Sequence, residues 1–306
     1  MNIEAFMQHL ESSPDRSLET IKAYRSDLKL FNQYLTSRRL RVTQVNSAVV
    51  HDYMSKLEQQ TSAGSRRPGL SRATRRRRLV SIRRYFEYLR STTNPKLRDP
   101  TYGIRVGRLD NDECKAVEES TLSNLMHGID VFRDKVLLSL FLASGLRLSE
   151  LHQLDRNTIE VEQHIDRDGH EHVVGTGEVV GKRKKRRRFF IDAETVDELV
   201  DYLATRTDEH QALFLSERKQ RLSKRSIQDI LSRWCRKLQI TPMHVHQLRH
   251  QYAVRLANAG IDTMVLKTLM GHDDLRTTNR YFKLYDQTVA RQYHAAMAIA
   301  KPPQVL

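Results

Sequence analysis

Cysteine is nearly absent: the 306-residue chain has two, Cys114 and Cys235, far apart in sequence. They form neither a zinc-ligand spacing nor a disulfide framework, which fits a reducing compartment. No run approaches the ~18 apolar residues that a membrane helix needs. The opening stretch, Met1 to Leu10, carries acid and lacks the apolar core of a signal peptide. These absences predict a cytoplasmic protein with no membrane segment. Negative charge is also scarce, with 37 Asp+Glu against 52 Lys+Arg and a formal net charge of +15. Such an excess favours a polyanionic partner, because each phosphate neutralised releases condensed counterions.

The length suits two domains better than one core. In the first hundred residues Ile21, Tyr24, Leu28, Phe31 and Leu35 recur at three- and four-residue steps, the apolar stripe of an amphipathic helix with Ser17 or Thr20 near its start. A second helix is predicted over 47–59. The small, polar stretch 61–69 is loop chemistry. A third helix, 72–89, buries Leu79, Ile82, Phe86 and Leu89. Its other faces are crowded with arginine, including Arg72, Arg83, Arg84 and the run Arg75–Arg78. Four adjacent guanidinium groups repel one another unless something anionic lies beside them. A solvated face is one reading; a face on a nucleic-acid backbone, with Arg72, Arg75, Arg76, Arg77 and Arg83 in contact, fits the charge of the whole segment better.

Helix breakers at Asn94-Pro95, Asp99-Pro100, Gly103 and Gly107 predict a linker. The domains are therefore placed at 1–107 and 108–306. Phe132 to Leu142 is too continuously apolar for a surface helix and reads as the central helix of the second core. From Ile159 to Ile191 the pattern changes to β-branched alternation, with an Asp168-Gly169 turn signal and a basic turn, which predicts a small antiparallel sheet. Helices resume over 193–205, 224–238, 246–258 and 263–270, with Gly260 and Gly271 where helix-ending glycines belong. The fold class is mainly α: an all-helical first domain and an α+β second domain.

Across the second half, Arg147 lies in Ser-Gly-Leu-Arg-Leu-Ser-Glu-Leu and Lys182 in Val-Val-Gly-Lys. His246 and Arg249 share His-Gln-Leu-Arg-His, His272 ends Leu-Met-Gly-His, and Tyr281 closes Thr-Thr-Asn-Arg-Tyr. Guanidinium forks suit the charge that develops on non-bridging phosphate oxygens, because they bind oxygens in pairs and keep their proton. Imidazoles donate to such oxygens or exchange protons near neutrality. A phenol can attack phosphorus once its proton is removed. His246 and His250 are four apart and His244 is near, but no His-Glu-x-x-His frame is present, so no metal and no cofactor are expected.

The order and context of these residues resemble the tyrosine recombinase (phage integrase) family, especially its simple Xer-like members, from about Leu18 to Met297. The resemblance implies a helical core-binding domain and a catalytic domain facing opposite sides of a DNA duplex. It implies that Arg147 and Arg249 clamp the scissile phosphate with His246 and His272, and that Tyr281 forms a 3′-phosphotyrosyl link. By the same resemblance Lys182 protonates the leaving 5′-oxygen. Glu150, one turn beyond Arg147, orients that arginine. Lys184 and Lys185 crowd the lysine-bearing turn and grip DNA backbone. This turn departs from the family's Gly-Lys-Gly setting, since Arg183 stands in place of the second glycine, and the sheet region is longer than in the simplest members.

The resemblance further implies double-stranded recombination sites as partners and a homotetramer on two duplexes, with a second recombinase or accessory protein where one is needed. The apolar positions Val289, Tyr293 and Met297 would lie on a terminal helix packed into a neighbouring protomer. The chain starts almost directly at its first helical domain, which disfavours a large phage integrase. Integration or excision of mobile DNA and resolution of dimers or cointegrates remain open. Alternatives are a type IB topoisomerase-like enzyme that relaxes DNA and a catalytically silent DNA-binding protein. A metal-dependent nuclease would need clustered carboxylates that the second half lacks.

Overall fold

The computed structural model describes residues 1–12, 18–60, 69–107, 117–165, 170–181, 185–279 and 281. The chain divides into two compact units, Met1–Glu113 and Cys114–Leu306.

The first unit is helical: α1 (Ile3–Glu11), α2 (Leu18–Ser37), α3 (Ser47–Gln59) and α4 (Arg72–Thr92), with a short 3-10 turn at Val42–Gln44. The stripe on α2 buries Ile21, Tyr24, Leu28, Phe31 and Leu35, as its spacing predicts. Helix α1 carries no sequence expectation above, yet Ile3, Phe6, Met7 and Leu10 repeat the same period and are buried. Aromatic rings fill much of this core. Phe6 meets Tyr85 edge-on at 5.5 Å, and the Tyr85 hydroxyl accepts the Asn2 N–H at 3.1 Å. Helix α4 runs three residues past the predicted Leu89 because Thr93 N–H still reaches the Leu89 carbonyl.

In the second unit, α5 (Glu119–Gly128), α6 (Phe132–Ser144) and α7 (Leu148–His152) precede the sheet. They are followed by α8 (Ala193–Ala204), α9 (Lys224–Lys237), α10 (Val245–Asn258), α11 (Thr263–Met270) and α12 (Leu275–Asn279). Helix α6 is the central element. Val136, Leu137, Leu138, Leu140 and Phe141 are fully buried, and the helix packs on α8, α10 and the sheet. Asp134 in its first turn is also fully buried. It accepts Arg133 Nη2 at 2.8 Å, Arg233 Nη2 at 2.5 Å and the Trp234 indole N–H at 2.9 Å.

Strands β1 (Ile159–Ile165), β2 (Glu171–Val180) and β3 (Arg186–Ile191) form an antiparallel meander in the order β1-β2-β3. The register pairs Ile159 with Gly177, Gly175 with Ile191 and Val180 with Arg186. Strand β3 alternates strictly, with Arg187, Phe189 and Ile191 buried and Arg186, Arg188 and Phe190 exposed. The Asp168-Gly169 turn and the proposed terminal helix with Val289, Tyr293 and Met297 lie outside the described residues. No helix among the described residues is long and apolar enough to cross a membrane.

Candidate active site

Four segments distant in sequence meet at the C-terminal end of α11. The last carbonyls of a helix have no partner within it. Here the carbonyls of Lys267 and Thr268 are satisfied by the N–H groups of Gly271 and His272. The next three are taken by arginines. Arg187 Nη1 donates to the Leu269 carbonyl, and Arg249 Nη2 to that of Met270. Arg147 Nη2 donates to the Gly271 carbonyl at 2.7 Å and more weakly to Met270 at 3.3 Å. The negative end of the helix dipole thus faces three guanidinium groups.

One carboxylate joins the three. Glu150 accepts the Arg147 backbone N–H at 2.8 Å and Arg147 Nη1 at 2.6 Å, so it caps the first turn of α7 and holds the side chain that precedes it. Arg187 Nη2 reaches the same carboxylate at 2.6 Å, and Arg249 Nη1 lies 3.8 Å away. Burial works against ionisation of Glu150, but donation from Arg187 and Arg147 outweighs it and holds the carboxyl below its ordinary range. Arg249 is pushed the other way. Burial, together with the like charges of Arg147 and Arg187, lowers it to about 9, still cationic at neutral pH. Three cations against one anion leave two positive charges unmatched by any side chain of this group.

Two glycines make the approach possible. Gly145 ends α6 with φ +58°, and a Cβ there would lie 2.3 Å from the Tyr252 ring. Its carbonyl accepts Arg249 Nη1 at 2.5 Å. Gly271 ends α11 with φ +58°, and a Cβ there would meet Arg187 Cδ at 2.8 Å. Both positions require a residue that is free in the left-handed region and has no side chain.

His272 follows directly. Its Nδ1 pairs with Thr278 Oγ1 at 2.9 Å, and the Thr278 carbonyl accepts the Tyr281 N–H at 3.0 Å. Fully buried in α12, Thr278 therefore couples the histidine to the tyrosine and gives the Thr-Thr of the motif a physical role. The Tyr281 ring lies parallel to that of His272 at 6.3 Å and 4.9 Å from that of His250. Only 6% of Tyr281 is exposed, and it packs with Tyr252, Ala253, Leu266 and Met270. His246 is exposed on the first turn of α10, three residues before buried Arg249. A cleft of about 890 Å³ opens beside these groups, lined by Arg147, Gly181, Lys185, Arg187, Lys267 and His272.

Lys182 and Lys184 lie outside the described residues. Lys185, just before β3, is exposed and pairs with Asp273, next to His272, at 3.0 Å. In the first unit, α4 presents Arg72 and Arg76 on its exposed surface. Arg77, Arg84 and Arg90 are exposed as well, and several arginines of the helix also hold partners within the unit. Arg75 pairs with Glu58, Arg77 with buried Asp27 at 2.7 Å, and Arg83 Nε donates to Thr101 Oγ1 at 2.9 Å. Two buried residues of the second unit had no catalytic or orienting role expected from the sequence. Arg187 sits inside a basic run that looks solvated, and only the strand alternation separates it from its neighbours. His250, beside the expected His246 and Arg249, turns inward to Tyr281.

The phage integrase family model matches residues 115–288, and the N-terminal SAM-like domain of phage integrases matches residues 3–92. The chain is 31% identical to the tyrosine recombinase XerD of Shewanella oneidensis, over 91% of this chain and 90% of that one. It is 30% identical to XerC of Pelotomaculum thermopropionicum, over 98% and 99%. Among solved structures, the Tn1549 transposon integrase with transposon right-end DNA superposes with a TM-score of 0.71 at 17% identity, over 97% of this chain and 99% of that one. XerH bound to difH gives 0.68 at 17% identity, over 95% and 83%. The chain belongs to the phage integrase family, the tyrosine recombinases, which cleave and rejoin DNA.

Proposed function

We propose that Tyr281 is the nucleophile and that Arg147, Arg249, His246 and His272 surround the scissile phosphate. Tyr281 Oη attacks phosphorus and forms the 3′-phosphotyrosyl bond. The bond to the 5′-oxygen breaks, and that oxygen takes a proton from Lys182. The histidines supply a donor to the phosphate oxygens and an acceptor for the phenol proton. Rejoining reverses these steps with a 5′-hydroxyl from a second strand. The phosphoester bond is kept in the link, so no ATP is consumed. One observation carries this reading: His272 and Tyr281 are tied through Thr278 beside a buried arginine cluster whose charge exceeds that of its one carboxylate. Donors aimed at developing charge are often the largest catalytic contribution.

The enzyme would act on double-stranded sites as a homotetramer in the cytoplasm, with Arg72, Arg75, Arg76, Arg77, Arg83, Lys184 and Lys185 on the DNA backbone. The exposure of Arg72 and Arg76 on α4 supports the first of these contacts. Integration or excision of mobile DNA, or resolution of dimers or cointegrates, is the biological setting.

Covalent capture tests the assignment. Wild type and Tyr281→Phe are incubated with a randomised pool of nicked duplexes in EDTA and run on a denaturing gel. An adduct from wild type that is lost in Tyr281→Phe, with DNA binding retained, is the expected result. An adduct that persists through Tyr285 would overturn it. Sequencing the trapped strands identifies the preferred duplex.

A further inference from the structure

Arg187 lies in the run Arg186-Arg187-Arg188 that opens β3. The pleat separates the three. The side chains of Arg186 and Arg188 are 74% and 60% exposed, whereas that of Arg187 is 7% exposed. Its outward neighbours find surface carboxylates, Glu178 and Glu162. Arg187 instead passes beneath Gly271 and ends in a fork. One nitrogen donates to the Leu269 carbonyl at the end of α11, and the other to Glu150 at 2.6 Å.

This fork joins three elements that carry the proposed chemistry. Strand β3 follows the turn bearing Lys182. Glu150 holds both the main chain and the guanidinium of Arg147. The turn at Gly271 sets the position of His272. A planar guanidinium can satisfy two acceptors in different directions at once, which a lysine ammonium on a flexible stem does less well. The large burial cost of a third cation in this place needs a return beyond packing.

We propose that Arg187 is a positioning residue for DNA cleavage, setting Arg147 through Glu150 and the His272 turn through the Leu269 carbonyl. The inference rests on the reading of Arg147 and His272 as phosphate-binding groups. Arg187 need not touch DNA. Its charge also adds to the field at Arg249, so its loss changes the electrostatics of the clamp as well as its geometry.

The test uses full-length wild type, Arg187→Met, Arg187→Lys, Glu150→Gln and the Arg187→Met/Glu150→Gln double variant. The probe is the nicked duplex recovered by covalent capture. Thermal melting, duplex affinity and the single-turnover rate of adduct formation at saturating enzyme are measured for each. Arg187→Met is expected to slow adduct formation ~10–100-fold while affinity stays within about threefold, the pattern for a residue that acts through a ligand-binding neighbour. Arg187→Lys should fall between, and it carries the test if the methionine variant does not fold. The double variant should be no slower than the slower single variant, because both changes break one chain of contacts. A folded Arg187→Met or Arg187→Lys with wild-type rate would overturn the proposal, as would multiplied effects in the double variant. Absence of any wild-type adduct would overturn the site assignment itself, and the role of Arg187 with it. A wild-type adduct with unimpaired Arg187 variants removes only the latter.

Discussion

Arg249 Nη1 lies 2.5 Å from the carbonyl oxygen of Gly145, joining the turn that leads into Arg147 to the first turns of α10. The two arginines of the proposed clamp are therefore not independent. The main chain before one is held by the side chain of the other, and Glu150 lies against both.

Loss of either arginine should depress cleavage more than binding. Arg147→Ala and Arg249→Ala are each expected to slow adduct formation ~10²–10³-fold, the usual cost of removing a donor from a developing anion. They should differ in stability. The Arg147 side chain is 31% exposed and that of Arg249 is 3% exposed. Removing Arg249 takes the donor from the buried Gly145 carbonyl and leaves that of Met270 with only the weaker bond from Arg147, at about 1–3 kcal/mol. Thermal melting beside single-turnover cleavage separates the two effects, and equal losses in binding and cleavage would argue against a clamp.

Lys182→Ala should cleave normal DNA slowly and a 5′-bridging phosphorothiolate at close to the wild-type rate. A thiolate leaves without help from an acid, so the substitution should matter only for the oxygen leaving group. Equal loss on both substrates would move the acid to another residue.

Glu150 supplies a pH signature. Its folded-state pKa lies below the ordinary value of 4.5, so its contribution to stability is complete above that pH. It is lost as the pH falls through the depressed folded value. Glu150→Gln should therefore lower stability at pH 7 and narrow its difference from wild type below about pH 4. Denaturant midpoints for both proteins from pH 3 to 8 test this. A constant gap would show that the carboxylate charge contributes nothing.

Asp134→Ala should be among the most damaging substitutions remote from the site. It removes the fully buried carboxylate that the buried Trp234 indole N–H, Arg133 and the half-exposed Arg233 share. The arginines keep access to water or to the Leu215 carbonyl, so the main cost is the unsatisfied buried indole N–H, about 1–3 kcal/mol. Urea denaturation measures the loss, and a change under about 1 kcal/mol would mean that water or a neighbour fills the gap.

The periodic elements were the most legible part of the chain. Helix α3 spans the predicted 47–59, and α6 is the predicted apolar centre. Helix α5 offers only Leu122 and Leu125 as buried apolar positions, too few to declare a period. Helix α7 is a single capped turn whose cap comes from Glu150 rather than from Ser or Asp. The expected residues Arg147, Glu150, Arg249, His272 and Tyr281 have contacts within the second unit. Arg187 stayed hidden because a basic run carries no mark of which member turns inward until the strand register is known. The pairing of Arg75 and Arg77 was equally hidden, since it depends on Glu58 and Asp27 from other helices.

At the end of α11 the acceptors for Arg187, Arg249 and Arg147 are main-chain oxygens of Leu269, Met270 and Gly271. Side-chain replacement at 269 or 270 leaves those oxygens in the chain, so a scan by alanine would pass over them. The backbone path is what must be kept, and Gly271 is where it is most vulnerable. A β-carbon there meets Arg187 and strains the left-handed conformation that L side chains rarely adopt. One added methyl group, on a residue with no functional group of its own, would disturb the seats of three arginines together.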